Sequence, residues 1–342
     1  MRVPGTAPMP AILDLVRAIE GAGFDGAGIL DSQLLARDTF VTLALAAGAT
    51  NRLRLFPAVT NPFTRHPSVL ASAIQTVEDL APGRIEMVIG TGYTSAITIG
   101  RKPSTLGEMR ACVMTVKRLL AGDAVDFGGA NGKLGYASRR AIPVLVAASG
   151  PKMIELAAEI ADGVLVLAGF NAGIIDEVRR HLEHGAARAG RSADELRVVW
   201  AVRTGTAATS REARRLARPV AVHWAFLGWA GRWLEVAGLR LPKLEIPDAI
   251  WNVYPDLSHA ANWEEAIAAT SFVPDDVVAE VCDAIGLVGT PDDCASRMLA
   301  MAKLGACELY LMPFQSFAPP EPEIRAFRDV VFPRLRAAGL RE

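Results

Sequence analysis

The sequence predicts an α/β protein, a parallel sheet covered by helices, and three observations carry that prediction. Apolar patterns of helix period and strand period alternate along most of the 342 residues. Such alternating units pack only when parallel strands form a sheet and the helices lie over it. The strand patterns are short, nearly continuous apolar runs stopped by polar or glycine-rich clusters, as for strands buried on both faces. The length suits one large core, and no linker composition interrupts it. Two closures satisfy the pattern, an eight-stranded barrel and an open doubly wound sheet. Length and the lack of a linker favour the barrel, as one domain over residues 1–342, although periodicity alone leaves the closure open.

In chain order, AILDLVRAIEGAGF (Ala11 to Phe24) has apolar residues at helical spacing and ends in glycines suited to a left-handed cap. Gly26 to Asp31 is a strand, TFVTLALAAGAT a helix and Leu53 to Val59 a strand. SVLASAIQTVEDL is a helix, Arg84 to Gly90 a strand, and a helix runs from about Ser104 to Leu120. Gly122 to Ile142 breaks the rhythm with GG and NG turn signals, which predicts a hairpin or loop excursion before the fifth strand. PVLVAAS, GVLVLAG and LRVVWAVRTG are the next strands, separated by the helices PKMIELAAEIA and about Ile174 to Ala189. Residues 211–285 read as mainly helical and too long for one crossover; all six tryptophans lie between Trp200 and Trp263. GTPDDCASRMLAMAKLG is a helix with Thr290 as N-cap, Pro291 at the first position and acids in the first turn. Cys307 to Phe314 is the last strand, before a closing helix rich in arginine. Little chain precedes Ala11 to form a first barrel strand, so the sequence leaves open whether one is present.

Lys and Arg number 36 against 37 Asp and Glu, for a net charge of -1. There is no field to attract a polyanion, so no nucleic-acid partner is expected. No run approaches the roughly 18 uncharged apolar residues of a membrane helix, and the N-terminus lacks a signal peptide's apolar stretch. Cys112, Cys282, Cys294 and Cys307 show no metal-ligand spacing and read as buried thiols of a reducing cytoplasm.

Polar or glycine-rich segments follow several strands: Asp31-Ser32-Gln33, Thr60-Asn61, Gly90-Thr91-Gly92-Tyr93 and Ser149-Gly150-Pro151-Lys152. In either closure these ends converge on the ligand-binding face. Any one of them is ordinary turn chemistry; four together point to a site. Gly90-Thr91-Gly92 lacks the third glycine of a dinucleotide fingerprint, which excludes that reading. Ser149 to Lys152 opens a helix with free N–H groups, a hydroxyl and a cation, either a phosphate cradle or a plain N-cap serine. His181 and His184 lie three apart on a charged helix with no third ligand nearby in sequence, so a solvated face is expected and no metal. His66 precedes Pro67 at a helix start, a capping position. His223 and His259 lie in the tryptophan-bearing segment, where core packing is favoured over pocket lining.

The run Val59-Thr60-Asn61-Pro62-Phe63-Thr64-Arg65-His66-Pro67 with SVLASAIQTVEDLAPGRIEMVIGTG, then PVLVAASGPKMIELAAEIADGVLV, then LVGTPDDCASRM, resembles the bacterial luciferase-like family of flavin- or deazaflavin-dependent barrels. It looks most like the branch containing methylenetetrahydromethanopterin reductases. The resemblance implies a (β/α)8 TIM barrel, with residues 211–285 as a helical insertion after the seventh strand. It implies a flavin ring against a bulge at Ala58, Val59, Thr60 and Asn61, with a cis peptide at Ala58-Val59. Gly90, Thr91 and Gly92 would border the ring or ribityl chain, and Ser149, Gly150, Pro151 and Lys152 would take the phosphate. A homodimer is also implied. Two departures stand out: relatives carry a histidine where this chain has Ser32, and the reductases' glycine turn continues with a small residue and an acid where this chain has Tyr93-Thr94-Ser95.

With the hard chemistry left to a cofactor, those departures suggest a two-component monooxygenase. Reduced FMN from a separate flavin reductase would activate oxygen for attack on a small organic substrate, under an aromatic lid from the insertion. Asn61, Tyr93, Ser32 and Gln33 are the catalytic and substrate-side candidates, with Tyr93 as proton donor. The alternative is hydride transfer with coenzyme F420. A third reading is a barrel that binds flavin without turnover.

Overall fold

The computed structural model describes residues 1–138, 140–228 and 230–341, so Trp229 of the expected insertion lies outside the described residues. The chain forms two compact units, Met1–Val166 with Arg180–Val198, and Leu167–Arg179 with Val199–Glu342.

The first unit begins with β1 (Arg2–Val3), α1 (Met9–Gly21), β2 (Gly26–Ile29), α2 (Thr39–Ala49), β3 (Arg54–Pro57), α3 (Pro67–Leu80) and β4 (Met87–Ile89). It continues with α4 (Thr94–Ile97), α5 (Leu106–Leu120), β5 (Val125–Asp126), β6 (Asn131–Gly132), β7 (Val144–Ala148), α6 (Pro151–Ile160) and β8 (Gly163–Val166). Parallel pairing runs β1-β2-β3, Leu55 and Thr60 bridge from β3 and the residues after it to Ile85 and Ile89, and the ladder continues β4-β7-β8. The C-terminal ends of β2, β3, β4 and β7 therefore lie side by side along one edge.

Local chemistry explains the elements. α1 buries Ile12, Val16 and Ile19, the helical spacing seen in the sequence, and Gly23 leaves it at φ +92°. Asp38 caps α2, His66 caps α3 through Ser68, and Thr105 with Glu108 forms a capping box on α5. The excursion over Gly122 to Ile142 contains the small antiparallel β5–β6 pair.

A first strand exists: Arg2 pairs with Gly28 and Val3 with Ile29. Two residues carry no readable periodicity, so only the sheet beside them identifies the strand.

After α7 (Ala172–Arg188) comes the long strand β9 (Arg197–Thr206), which belongs to the second unit from Val199 onward. Then come α8 (Ser210–Val222), α9 (Gly231–Val236), α10 (Trp263–Ala269), α11 (Asp275–Ile285), β10 (Gly286–Gly289) and α12 (Pro291–Ala302). β11 (Leu309–Pro313), α13 (Glu321–Ala326) and α14 (Phe332–Ala337) complete the chain. β10 and β11 both pair in parallel with β9. β10 was not expected: it follows α11 with no turn between them, and its glycines hide it. At Gly286 a side chain would collide with the backbone of Arg203, so the close strand approach requires that residue. The segment from α8 to α11 is helical at both ends but irregular over much of 238–262. Its core gathers Trp224, Ile250, Leu257, Val281 and Ile285.

Candidate active site

The four predicted segments follow β2, β3, β4 and β7, neighbours in the sheet of the first unit. After β2, Asp31 is almost fully buried. Arg65 Nη1 donates to its Oδ2 at 2.7 Å and Gln33 Nε2 to its Oδ1 at 3.1 Å. Arg65 also donates to Asp38 at 2.7 Å and lies over the Phe40 ring, so one guanidinium ties the residues after β3 to the β2–α2 loop. Burial pushes the Asp31 carboxyl above its ordinary range, against the opposing pull of Arg65. The buried Thr60 hydroxyl approaches Asp31 and helps hold it charged, without reaching full hydrogen-bond geometry with any partner.

Gln33 Oε1 and Thr64 Oγ1 are buried with no hydrogen-bond partner. Buried polar atoms are nearly always paired, so unpaired ones mark where a bound group could be received. Leu34 follows Gln33 with φ +68° and its side chain 83% exposed, an unusual backbone state for a branched aliphatic residue.

After β3 the peptide between Ala58 and Val59 is cis, where the resemblance places it. Asn61 is fully buried, and its amide is committed to local structure: Oδ1 accepts from Phe63 and Thr64 N–H, and Nδ2 donates to Ser95 Oγ at 3.2 Å. It links the loop after β3 to the one after β4. Gly90 packs so closely that an added Cβ would lie 2.7 Å from Val59 Cγ2 and 3.4 Å from Ala147 Cβ. Val59, Gly90 and Ala147 thus make a low apolar wall across β3, β4 and β7. Gly92 has φ +78°, and a Cβ there would meet the Phe63 ring at 2.7 Å, so both conformation and space demand glycine. Thr91 accepts at its carbonyl from Ser104 N–H, and Tyr93 beside it is half exposed.

After β7 the N-cap of α6 is Gly150, not Ser149, and no side chain caps the helix. That removes the plain N-cap serine as an account of this segment. Pro151 opens the helix, nothing lies within 4 Å of where a Gly150 Cβ would be, and Lys152 is exposed. Ser32 is partly buried, and its carbonyl accepts from Leu35 and Ala36. A cavity of about 270 Å³ lies elsewhere in this unit, between the start of α3 and α5, lined by Phe63, His66, Glu108, Cys112 and Phe127 among others; no predicted site residue lines it.

The first unit has features that suit a planar, partly anionic cofactor: an apolar wall after β3, β4 and β7, buried unpaired polar atoms on the loops after β2 and β3, and a helix N-terminus with a lysine. The comparisons decide the family. A model described as luciferase-like monooxygenase matches residues 1–308.

The chain belongs to the luciferase-like family.

This luciferase-like chain is 31% identical to 5,10-methylenetetrahydromethanopterin reductase of Archaeoglobus fulgidus over 303 residues, 86% of each chain. It is 27% identical to the enzyme of that name from Methanolobus tindarius, over 88% of this chain and 90% of the relative. The solved structure of the coenzyme F420-dependent tetrahydromethanopterin reductase of Methanopyrus kandleri superposes with a TM-score of 0.76 at 26% identity, covering 97% of both chains. The fold class is therefore the α/β TIM barrel expected from the sequence.

The expected chemistry needs correction. The relatives that share 27–31% identity over 86–88% of the chain are reductases, whereas monooxygenase structures that superpose on the whole chain share only 15–18% and show the fold alone, so the reduced-FMN oxygenase and its separate flavin reductase are not supported. Ser32 and Tyr93 are local changes on two loops, whereas a cofactor is accommodated by the whole mouth.

Other expectations shift with the geometry. Trp200, Trp224 and Trp233 are buried in the second unit, so they serve its core, while Trp251 is 68% exposed. His259 Nδ1 lies 2.9 Å from Asp256 Oδ2, and burial holds the neighbouring His223 below the usual imidazole range. Cys112, Cys282 and Cys294 are buried, with thiols pushed up to about 12 by burial, and so are poor nucleophiles; Cys307 is exposed, contrary to expectation. Arg65 is the organising residue that sequence reasoning passed over. Its only signal is that it is the one lysine or arginine in the run from Val59 to Pro67. Among the described residues, no helix is long and apolar enough to cross a membrane.

Proposed function

We propose that this protein is a deazaflavin-dependent oxidoreductase that transfers hydride between coenzyme F420 and a small organic substrate, a methylene-tetrahydropterin one-carbon carrier being the first candidate. The observation that carries the reading is the 31% identity, over 86% of both chains, to a reductase of that substrate class. When bound, the deazaflavin supplies or accepts the hydride; it does not activate oxygen.

The chain's own residues bind, orient and move protons. Val59, Gly90 and Ala147 give the ring an apolar backing, and Ala58, Thr60 and Asn61 set the shape of the loop behind it. Gln33 Oε1 and Thr64 Oγ1 are unpaired groups suited to a heterocycle's polar edge. Thr91 and Gly92 allow close approach of backbone, and Ser149, Gly150, Pro151 and Lys152 suit the coenzyme's phosphodiester. Ser32 and Tyr93 face substrate chemistry, with the half-exposed Tyr93 phenol as the proton carrier that accompanies hydride transfer.

The test is an anaerobic titration of the protein with reduced F420 and with reduced FMN, then addition of methylene-tetrahydromethanopterin. The expected result is at least about tenfold tighter binding of the deazaflavin, ~1.4 kcal/mol, and substrate-dependent oxidation that admitted oxygen does not alter. Preferential FMN binding with oxygen-dependent turnover would overturn the proposal. Tyr93→Phe should lower kcat about 100-fold or more; full turnover in that variant removes the proton role alone.

A further inference from the structure

The sequence offered two histidines on a charged helix and no third ligand. Folding supplies the third group from another helix. His181 and His184, three apart on α7, share a face, with ring centroids 6.4 Å apart in an edge-on arrangement. Glu155 on α6 meets that face, and its Oε1 lies 2.8 Å from His181 Nδ1. One ligand atom from each of Glu155, His181 and His184 lies within 4.8 Å of the others.

We propose that Glu155, His181 and His184 bind one divalent transition-metal ion, best suited to Zn²⁺, which clamps α6 to α7. Two imidazoles and a carboxylate are a borderline donor set that zinc accepts, with water in the fourth tetrahedral position.

Bonds of about 2.0–2.1 Å to zinc require ligand atoms ~3.3 Å apart. The present separation closes by side-chain rotation, since the His184 ring is exposed and makes no hydrogen bond among the described residues. The helix spacing is fixed at the right place. A side chain at Gly185 would collide with the Glu155 carbonyl and with Ala158, so the two helices make close contact beside the cluster. The carboxylate is pre-positioned as well: Arg188 donates to Glu155 Oε2 at 3.0 Å and to Glu159 Oε2 at 3.2 Å. That contact leaves Oε1 directed at the imidazole.

A bland account exists for two of the three residues, because a Glu–His hydrogen bond and a Glu–Arg ion pair are ordinary helix-to-helix contacts. It gives His184 only the edge-on contact with the His181 ring. His184 is therefore the discriminating residue, and being exposed it can be replaced without unfolding the protein.

The full-length protein, stripped of metal by a chelator, would be titrated with Zn²⁺ by calorimetry and with Co²⁺ by visible absorption. One ion per chain is expected, with affinity at least tenfold weaker in His184→Ala, His181→Ala and Glu155→Gln. The thermal midpoint should rise with Zn²⁺ in the parent and not in His184→Ala. His66→Ala, which removes a histidine from a different face, should bind as the parent does. No stoichiometric binding, or equal binding by the parent and His184→Ala, would overturn the proposal and leave Glu155–His181 as a packing contact.

Discussion

Arg65 neutralises two carboxylates at once, Asp31 with a side chain 3% exposed and Asp38 with one 48% exposed. Replacing it by methionine keeps the stem and strands the Asp31 charge, a loss of about 2–4 kcal/mol given that Arg65 is itself only 17% exposed. The loss should depend on pH in a definite direction. Burial already raises the Asp31 carboxyl in the folded protein, and without Arg65 it rises further. A group of that kind favours folding below its unfolded value, about pH 4, and loses that contribution as pH climbs through the folded value. Parent and Arg65→Met should therefore differ least in acid and most near neutrality, as read by urea unfolding at two pH values. Equal gaps at both would mean that Asp31 is not the group Arg65 serves. At Gly90, alanine would push a methyl into Val59, costing about 1–3 kcal/mol by overpacking and roughening the wall. Deazaflavin affinity, measured by fluorescence titration, should fall by about tenfold or more.

The elements differ in how plainly the sequence announces them. α12 was readable because Thr290, Pro291 and Asp293 are local signals, and the capping box formed by Thr290 and Asp293 confirms the start. Thr290→Ala should cost about 1 kcal/mol, measured by thermal or urea unfolding. β1 and β10 were unreadable, since two residues and a glycine-bounded run acquire strand character only from the ladders on β2 and β9. Helix-to-helix spacing was equally hidden. Gly185 looks like a weak point in α7, yet it is where α6 approaches most tightly. Gly185→Ala should gain helix propensity of up to ~1 kcal/mol but lose more to the collision, so the protein should be destabilised and, under the metal-site proposal, bind Zn²⁺ more weakly.

At the scale of the molecule, α2 and its neighbour α3 leave Val41, Leu45, Val69 and Leu80 from 44% to 59% exposed. Exposed apolar side chains favour association where they form a patch, and the homodimer implied by the resemblance is tested there. Light scattering after size exclusion should give twice the chain mass of 36.4 kDa, and Leu45→Glu should shift it towards monomer. A parent that runs as a monomer at micromolar concentration would end that expectation.

By itself the sequence determined the alternation of helices and strands, most capping residues, the family resemblance and the segments that gather at one edge of the sheet. Those properties are written in residues close along the chain, as periodicity, caps and motif runs. Only the tertiary structure decided what those segments do to one another: Arg65 reaching Asp31, Asn61 spent on Ser95, Gly90 pressed against Val59, and Glu155 brought to His181 and His184. Each is a contact across a separation that local pattern does not encode. The choice of cofactor lay between these levels. Two loop residues pointed to oxygen chemistry, while 27–31% identity to methylenetetrahydromethanopterin reductases, spread over 86–88% of the chain, supports the hydride-transfer reading.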